Sequence, residues 1–376
     1  MIATILHNAS IVDGSGNARF TTDVGIVDER IALIGDLSER DAAQRIDCSG
    51  KILAPGFIDV HSHSDELWLA LPRCDGKIAQ GVTTEIGGNC GISAAPLAGV
   101  ALDKMQRSAR HYGVDVEWRS FDEFFSSIER NGVAMNVASL VGLGTTRSLV
   151  SGESERRLES DEIRAQAAFV REACEHGALG VSSGLIYPPS QYADASELIA
   201  MAAAAREAGA PMYASHVRNE GDRLLEAIEE ALHVGEHAQT SVQCSHHKAQ
   251  GKQNWGKVHR SLELIERARA RGISAYADVY PYVASWTELA TILPDDVRFG
   301  GVAATLERLR DPQSATAIAL SLSMRATNDW HDILITSVGS ERNARVAGMR
   351  MDEIAAAWHL SVPHAAIRLL QEEELE

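Results

Sequence analysis

Two histidines one residue apart close an apolar run in "APGFIDVHSHSDE", residues 54–66. In an extended strand alternate side chains share a face, so His61 and His63 project together. Two imidazoles side by side at a strand end can chelate a metal ion, although polar residues where a strand meets solvent look the same. Residues of matching chemistry recur far along the chain: Cys90 in "GGNCG", His216 in "YASHVRNEGD", and His246 with His247 in "CSHHKAQG". Tyr280 and Tyr282 follow in "DVYPY". A thiolate and several imidazoles make a borderline-soft donor set suited to Zn²⁺. Such scattered residues form one site only if the architecture gathers them.

The pattern of elements supplies that architecture. The first fifty residues read as short strands with turn punctuation at Gly14-Ser15-Gly16-Asn17, which suggests antiparallel ribbons. Beyond them, apolar strands are expected near 52–61, 81–88, 136–142, 178–184, 211–216, 241–246 and 273–280. They alternate with amphipathic helical stretches such as "ASELIAMAAAAREAGA" and "VHRSLELIERARARG". Seven such units predict a (β/α) barrel, in which functional groups sit at the C-terminal strand ends. The residues named above occupy those ends. A closed barrel needs an eighth strand, for which "DILITSVGS" at 332–340 is the candidate. It follows a long irregular stretch, 283–330, and the acidic end of the chain leads us to expect that the natural protein continues past Glu376.

Bulk properties narrow the partners. Against 35 basic residues stand 52 acidic ones, a net charge of −17 that argues against nucleic acid or an anionic membrane. The five cysteines are scattered through a long chain, as in a reduced compartment. No basic segment followed by an apolar run and cleavage site opens the sequence, and the expected location is cytoplasmic.

Several stretches are long enough to be specific. "PGFIDVHSHSD" resembles the first-strand metal motif of the amidohydrolase superfamily. Together with "GGNCG", "SSGLIYPPSQYA", "SHVRNEGD", "SHHKAQGKQNWGK" and "DVYPYVASWT", it resembles the N-acyl-D-amino-acid deacylase (D-aminoacylase) family. The resemblance implies an α/β fold, a metal-dependent (β/α) barrel of the amidohydrolase type with a small β-sandwich domain, both incomplete at the C-terminus. Residues 1–54 would be half of the sandwich and 55–376 the barrel, with a lid insertion at 283–345. It also implies zinc-dependent hydrolysis of the amide of N-acyl-D-amino acids, a small-molecule substrate.

Carried over by position, Cys90, His216 and His246 match the tightly held zinc ligands. His61 and His63 match the side where a second, weaker metal sits. His246 is preferred to His247, which should point to the other face. Lys248 and Tyr280 match contacts to the substrate carboxylate, and Tyr187 matches the group that polarises the scissile carbonyl. The family's general acid/base, an eighth-strand aspartate, has no counterpart in residues 1–376 and is expected beyond Glu376. The chain as written is therefore expected to bind zinc poorly or modestly and to have little deacylase activity. Leu143 and Trp286 depart from the family pattern, so side-chain preference does not transfer. Two alternatives stay open: another amidohydrolase of dihydroorotase or hydantoinase type, and a truncated, non-catalytic metal-binding barrel. Cys90 and Lys248 speak against the first, since those enzymes rely on a bridging modified lysine. The missing aspartate favours the second.

Overall fold

The computed structural model describes residues 1–324 and 329–375. Residues 325–328, within the predicted lid, and Glu376, the last residue of the predicted barrel, lie outside the described residues. The chain divides into two units, residues 1–58 with 75–84 and residues 59–74 with 85–376.

In the first unit, β1 (Ile2–Ile11), β2 (Phe20–Val27), β3 (Arg30–Gly35), β4 (Ala42–Asp47) and β5 (Ile52–Leu53) form one sheet of order β3-β2-β1-β4, with β5 also on β1. The expected antiparallel ribbon is realised only for β1–β2 and β2–β3, because β4 and β5 pair with β1 in parallel. The reason lies in the β3–β4 connection. One guanidinium nitrogen of Arg45 donates to the carbonyls of Leu37, Ser38 and Arg40, while Asp23 accepts from the Leu37 amide. These bonds carry the chain across to the far side of β1 rather than into another hairpin. Ala9, Ile11, Val24 and Cys48 form the buried apolar cluster.

The second unit supplies the barrel order. Strands β6 (Phe57–Asp59) and β7 (Val82–Gly87) run across the division, and their C-terminal ends belong here. The third strand is broken at Leu140 into β8 (Asn136–Ser139) and β9 (Val141–Gly142). The Leu140 amide donates to Gly87 O at 3.0 Å, which aligns the ends of the second and third strands. Then β10 (Val181–Gly184), β11 (Met212–His216), β12 (Ser241–Cys244) and β13 (Ala275–Ala277) continue in parallel, in the order β13-β12-β11-β10-β9. Helices Ser160–Glu175, Ala195–Glu207, Leu224–Ala238 and Lys257–Ala270 alternate with these strands. The sequence marks their limits: Asp194 accepts from the amides of Ser196 and Glu197 at one helix start, a side-chain N-cap. Their apolar faces, including Val170, Leu198, Met201, Ile228 and Val234, join Tyr213 and Val242 of the strands in the main core. β10 is buried throughout and β11 from Tyr213 to His216, as expected of parallel strands covered on both faces.

The segment expected to supply an eighth strand does not do so. Its Ile335 amide donates to Met349 O, and the Gly348 and Met351 amides donate to Ile335 O and Ile333 O. Leu334 makes an isolated antiparallel bridge to Arg350. The backbone groups a barrel strand would offer are thus consumed locally, and Ile335 is buried with Val346, Met351 and Ile354. The stretch expected to be irregular also contains helices, the longest Gly301–Arg310 and Pro312–Met324. Their Leu309, Ile318 and Leu322 bury against Ile367 and Leu370 of the helix Val362–Glu372. The Asp311-Pro312 break interrupts their apolar spacing, which hides both helices in the sequence.

Candidate metal centre

The tightest piece of the site is the loop after β7. Gly88, Cys90 and Gly91 have φ of 67°, 54° and 79°, all in the left-handed region. A side chain at Gly88 would put Cβ 1.9 Å from Leu140 O, and one at Gly91 would put it 2.6 Å from Gly184 N. Only glycine fits such close approaches, which accounts for the spelling "GGNCG". The buried Ser182 of β10 clamps the loop: its hydroxyl accepts from the Gly91 amide at 3.0 Å and donates to Gly88 O at 2.5 Å. Asn89 donates to Ile86 O. Cys90 therefore occupies a backbone state that is costly for a residue with Cβ, held by bonds around it.

His246, just past β12, is the second left-handed non-glycine residue of the site, with φ 36°. Its amide donates to Asp278 Oδ1 at 2.6 Å, and the next amide, of His247, donates to Asp278 O at 2.8 Å. The turn sends the two histidines apart. His247 Nε2 lies 2.8 Å from Ser261 Oγ on the helix Lys257–Ala270, while His246 Nε2 lies 3.5 Å from Cys90 Sγ and 3.0 Å from His216 Nδ1. His61 Nε2 is 3.4 Å from Cys90 Sγ. His63 stands apart, exposed, with its ring centroid 5.5 Å from that of His61. Among the described residues two groupings have ligand atoms mutually within 4.8 Å: His61–Cys90–His246 and His216–Glu220–His246.

Pair by pair these spacings are those of zinc ligands, while the two groupings share only His246 and neither holds Cys90 and His216 together. With Zn–S of about 2.3 Å and Zn–N of about 2.0–2.1 Å, tetrahedral geometry sets S and N about 3.6 Å apart and two N about 3.3 Å apart. The observed sulfur–nitrogen distances are 3.4 and 3.5 Å, and the nitrogen–nitrogen distance is 3.0 Å. His216 Nε2 is buried without a hydrogen-bond partner. Burial holds the His216 imidazole down to about 3, in the neutral form that ligates metal. The Cys90 thiol is pushed up, first by burial and then by the Glu220 and Asp278 carboxylates, so a proton must leave before the sulfur serves as a thiolate.

Two carboxylates that the sequence reading missed stand behind the ligands. Asp278 Oδ1 is 3.2 Å from His61 Nδ1, and Asp278 Oδ2 accepts from Gln243 at 2.8 Å. Burial opposes its charge, but the His61, Gln243 and His246 partners keep it below the ordinary aspartate value. Glu220 Oε1 lies 2.8 Å from His246 Nδ1 and 2.5 Å from Lys248 Nζ. Burial would raise it, yet the His246 bond and the surrounding positive charge bring it to about 2. The strand-end rule that singled out the histidines points equally to Asp278, one residue beyond β13. Glu220 follows His216 by four residues and carried no periodic signal.

The remaining predicted residues gather at the same mouth. Lys248 Nζ, paired with Glu220, also donates to His246 O at 3.1 Å and lies 5.6 Å from the Tyr280 ring centroid. Tyr187 stacks edge-on against His216 with centroids 5.1 Å apart, and its hydroxyl is 3.1 Å from Thr287 Oγ1. Burial pushes the Tyr187 phenol up, which keeps it a proton donor. Arg298 donates to Ile186 O at 2.7 Å, so the 283–345 stretch touches the Tyr187 loop twice. No described helix is long and apolar enough to cross a membrane.

Comparison with known proteins gives concordant results. Residues 44–117 match the model of the Amidohydrolase family. The chain is 37% identical over 300 residues to an N-acyl-D-glutamate deacylase of Alcaligenes xylosoxydans xylosoxydans, covering 78% of this chain and 59% of that protein. It is 38% identical over 289 residues to a D-aminoacylase of the same organism, covering 76% and 58%. The chain thus spans less than two thirds of these curated relatives. Among solved structures, it resembles the N-acyl-D-glutamate deacylase of Bordetella bronchiseptica in complex with zinc and a phosphonate mimic of the tetrahedral intermediate. That similarity has a TM-score of 0.81 at 32% identity and covers 100% of this chain and 73% of that one.

Proposed function

Because the chain belongs to the N-acyl-D-amino-acid deacylase (D-aminoacylase) family of amidohydrolases, we propose that the protein hydrolyses the amide bond of N-acyl-D-amino acids with zinc. The observation that carries this reading is the meeting of Cys90 Sγ with His61 Nε2 and His246 Nε2, the latter 3.0 Å from His216 Nδ1. Cys90, His216 and His246 would hold the tight zinc, with His61 and His63 on the side of a second, weaker ion. The chemistry that a bound zinc ion supplies is polarisation of the amide carbonyl and activation of water. Tyr187, a half-buried phenol against His216, would donate to the carbonyl oxygen. Lys248 and Tyr280 would hold the substrate carboxylate as a cation and a phenol donor at fixed spacing. Lys248 is already neutralised by Glu220, so the substrate has to share it. Glu220 is held by Lys248, and Asp278 by the His246 amide and Gln243, so both carboxylates are already engaged.

We read residues 283–345 as a lid, an assignment supported by the Thr287 and Arg298 bonds to the Tyr187 loop. A cytoplasmic location is supported by the absence of disulfides among the described cysteines. Paired D and L N-acetyl amino acids with acidic and apolar side chains, assayed with zinc-loaded protein, test the activity. Release of D-amino acids only is expected. Equal rates on both enantiomers, or activity unaffected by Cys90→Ala, would overturn the proposal.

A further inference from the structure

We infer that the outer face of the helix Leu224–Ala238 carries a further metal site, a two-imidazole chelate of His233 and His237 for a borderline divalent ion such as Zn²⁺, Ni²⁺ or Cu²⁺. Residues 233–237 read "HVGEH", with two histidines four positions apart. That spacing sets two side chains one above the other on a helix, the arrangement by which helical histidine pairs grip zinc. Here the two imidazole centroids lie 3.9 Å apart, with the ring planes inclined by 43°. Both residues are exposed, whereas Ala231, Leu232, Val234, Gly235 and Ala238 are buried. The inner face thus anchors the helix, and the pair keeps its spacing while staying open to an ion.

Hydrogen bonding prepares one of the two rings for ligation. His237 Nδ1 lies 2.9 Å from His233 O, and a carbonyl oxygen only accepts, so the proton sits on Nδ1. Nε2 keeps its lone pair, with the other ring nitrogen held by backbone as in many metal-bound histidines. Glu229, one turn before His233, lines the same surface recess and can add an oxygen donor to the two imidazoles. Glu236 lines that recess too, but Arg271 lies 3.7 Å from its carboxylate. The pair therefore binds an ion without a free base beside it to activate water. Arg267 and Arg271 balance the two carboxylates of the recess, so affinity rests on the imidazoles rather than on net charge.

The test is calorimetric titration of Ni²⁺ into the full chain already loaded with zinc, compared across single variants. Ni²⁺ uptake by the unaltered chain should exceed that of His233→Ala and of His237→Ala by one equivalent. Each variant keeps a single imidazole and loses the chelate, which should weaken that binding about 100-fold or more. Both positions are exposed and alanine is the best helix former, so the variants fold. His176→Ala is the control and should leave uptake unchanged. His176 is exposed and has the same kind of Nδ1 contact, 2.9 Å to Glu172 O, but no histidine one turn away. Equal Ni²⁺ uptake and affinity in the unaltered chain, His233→Ala and His237→Ala overturns the inference. The deacylase reading is decided separately, by zinc at Cys90, and neither result depends on the other.

Discussion

Replacing Ser182 by alanine removes one hydroxyl that lies on a different strand from every proposed ligand, yet it should disturb the metal centre. The Ser182 hydroxyl satisfies both the Gly91 amide and the Gly88 carbonyl, in a fully buried position. A buried polar group left unpaired costs about 1–3 kcal/mol. Two such groups bring the loss to about 2–6 kcal/mol, with the lower half expected if the loop relaxes. Relaxation is favoured because Cys90 at φ 54° pays about 1–2 kcal/mol for a left-handed conformation. Once the clamp is gone, Cys90 can leave that region and carry its sulfur away from His61 and His246. Denaturant unfolding measures the first effect. Zinc competition and the Co²⁺–thiolate band measure the second, with affinity expected to fall about 10–100-fold, as for other outer-shell partners. A Ser182→Ala protein with unchanged stability and unchanged zinc affinity would refute the claim that this clamp holds the cysteine in place.

Other outcomes follow from buried charge. Arg147 is fully buried, paired with Glu197 at 3.0 Å and donating to Ser154 O and Arg156 O, so Arg147→Ala should cost about 3–5 kcal/mol in denaturant unfolding by stranding the Glu197 carboxylate. A loss below 1 kcal/mol would mean that the pair is screened by water. Asp65, the last residue of the first-strand motif, is pushed up to about 7 by burial first and by Glu66 next. The unfolded chain releases this proton near the ordinary value of 3.8, so ionisation destabilises the fold progressively from about pH 4 to pH 7 and no further above that. Asp65→Asn should therefore gain stability over the unaltered protein across that window, by up to about 4 kcal/mol. A stability difference that stays flat between pH 4 and pH 8 would contradict this assignment.

Residue types and strand ends named Cys90, His61, His216 and His246, which stand around one barrel mouth because a parallel barrel obliges successive C-terminal strand ends to converge. The grouping is not the expected triad: Cys90 meets His61 and His246, and His216 meets Glu220 and His246. Period and punctuation likewise gave seven strands and the helices between them. Three matters belonged to the tertiary structure alone. Segment 332–340 pairs with residues 348–351 rather than with a barrel strand, since competition between local and distant backbone partners leaves no mark on a short apolar run. Ser182 became a clamp only when β10 met the loop after β7, ninety-one residues away from Gly91. Glu220 and Asp278 gained their roles from which ring nitrogen or amide lies within hydrogen-bonding distance, a relation that exists only after the strand ends are side by side. Donor identity is chemical and is written in the chain, whereas orientation is geometric and arises when distant segments pack.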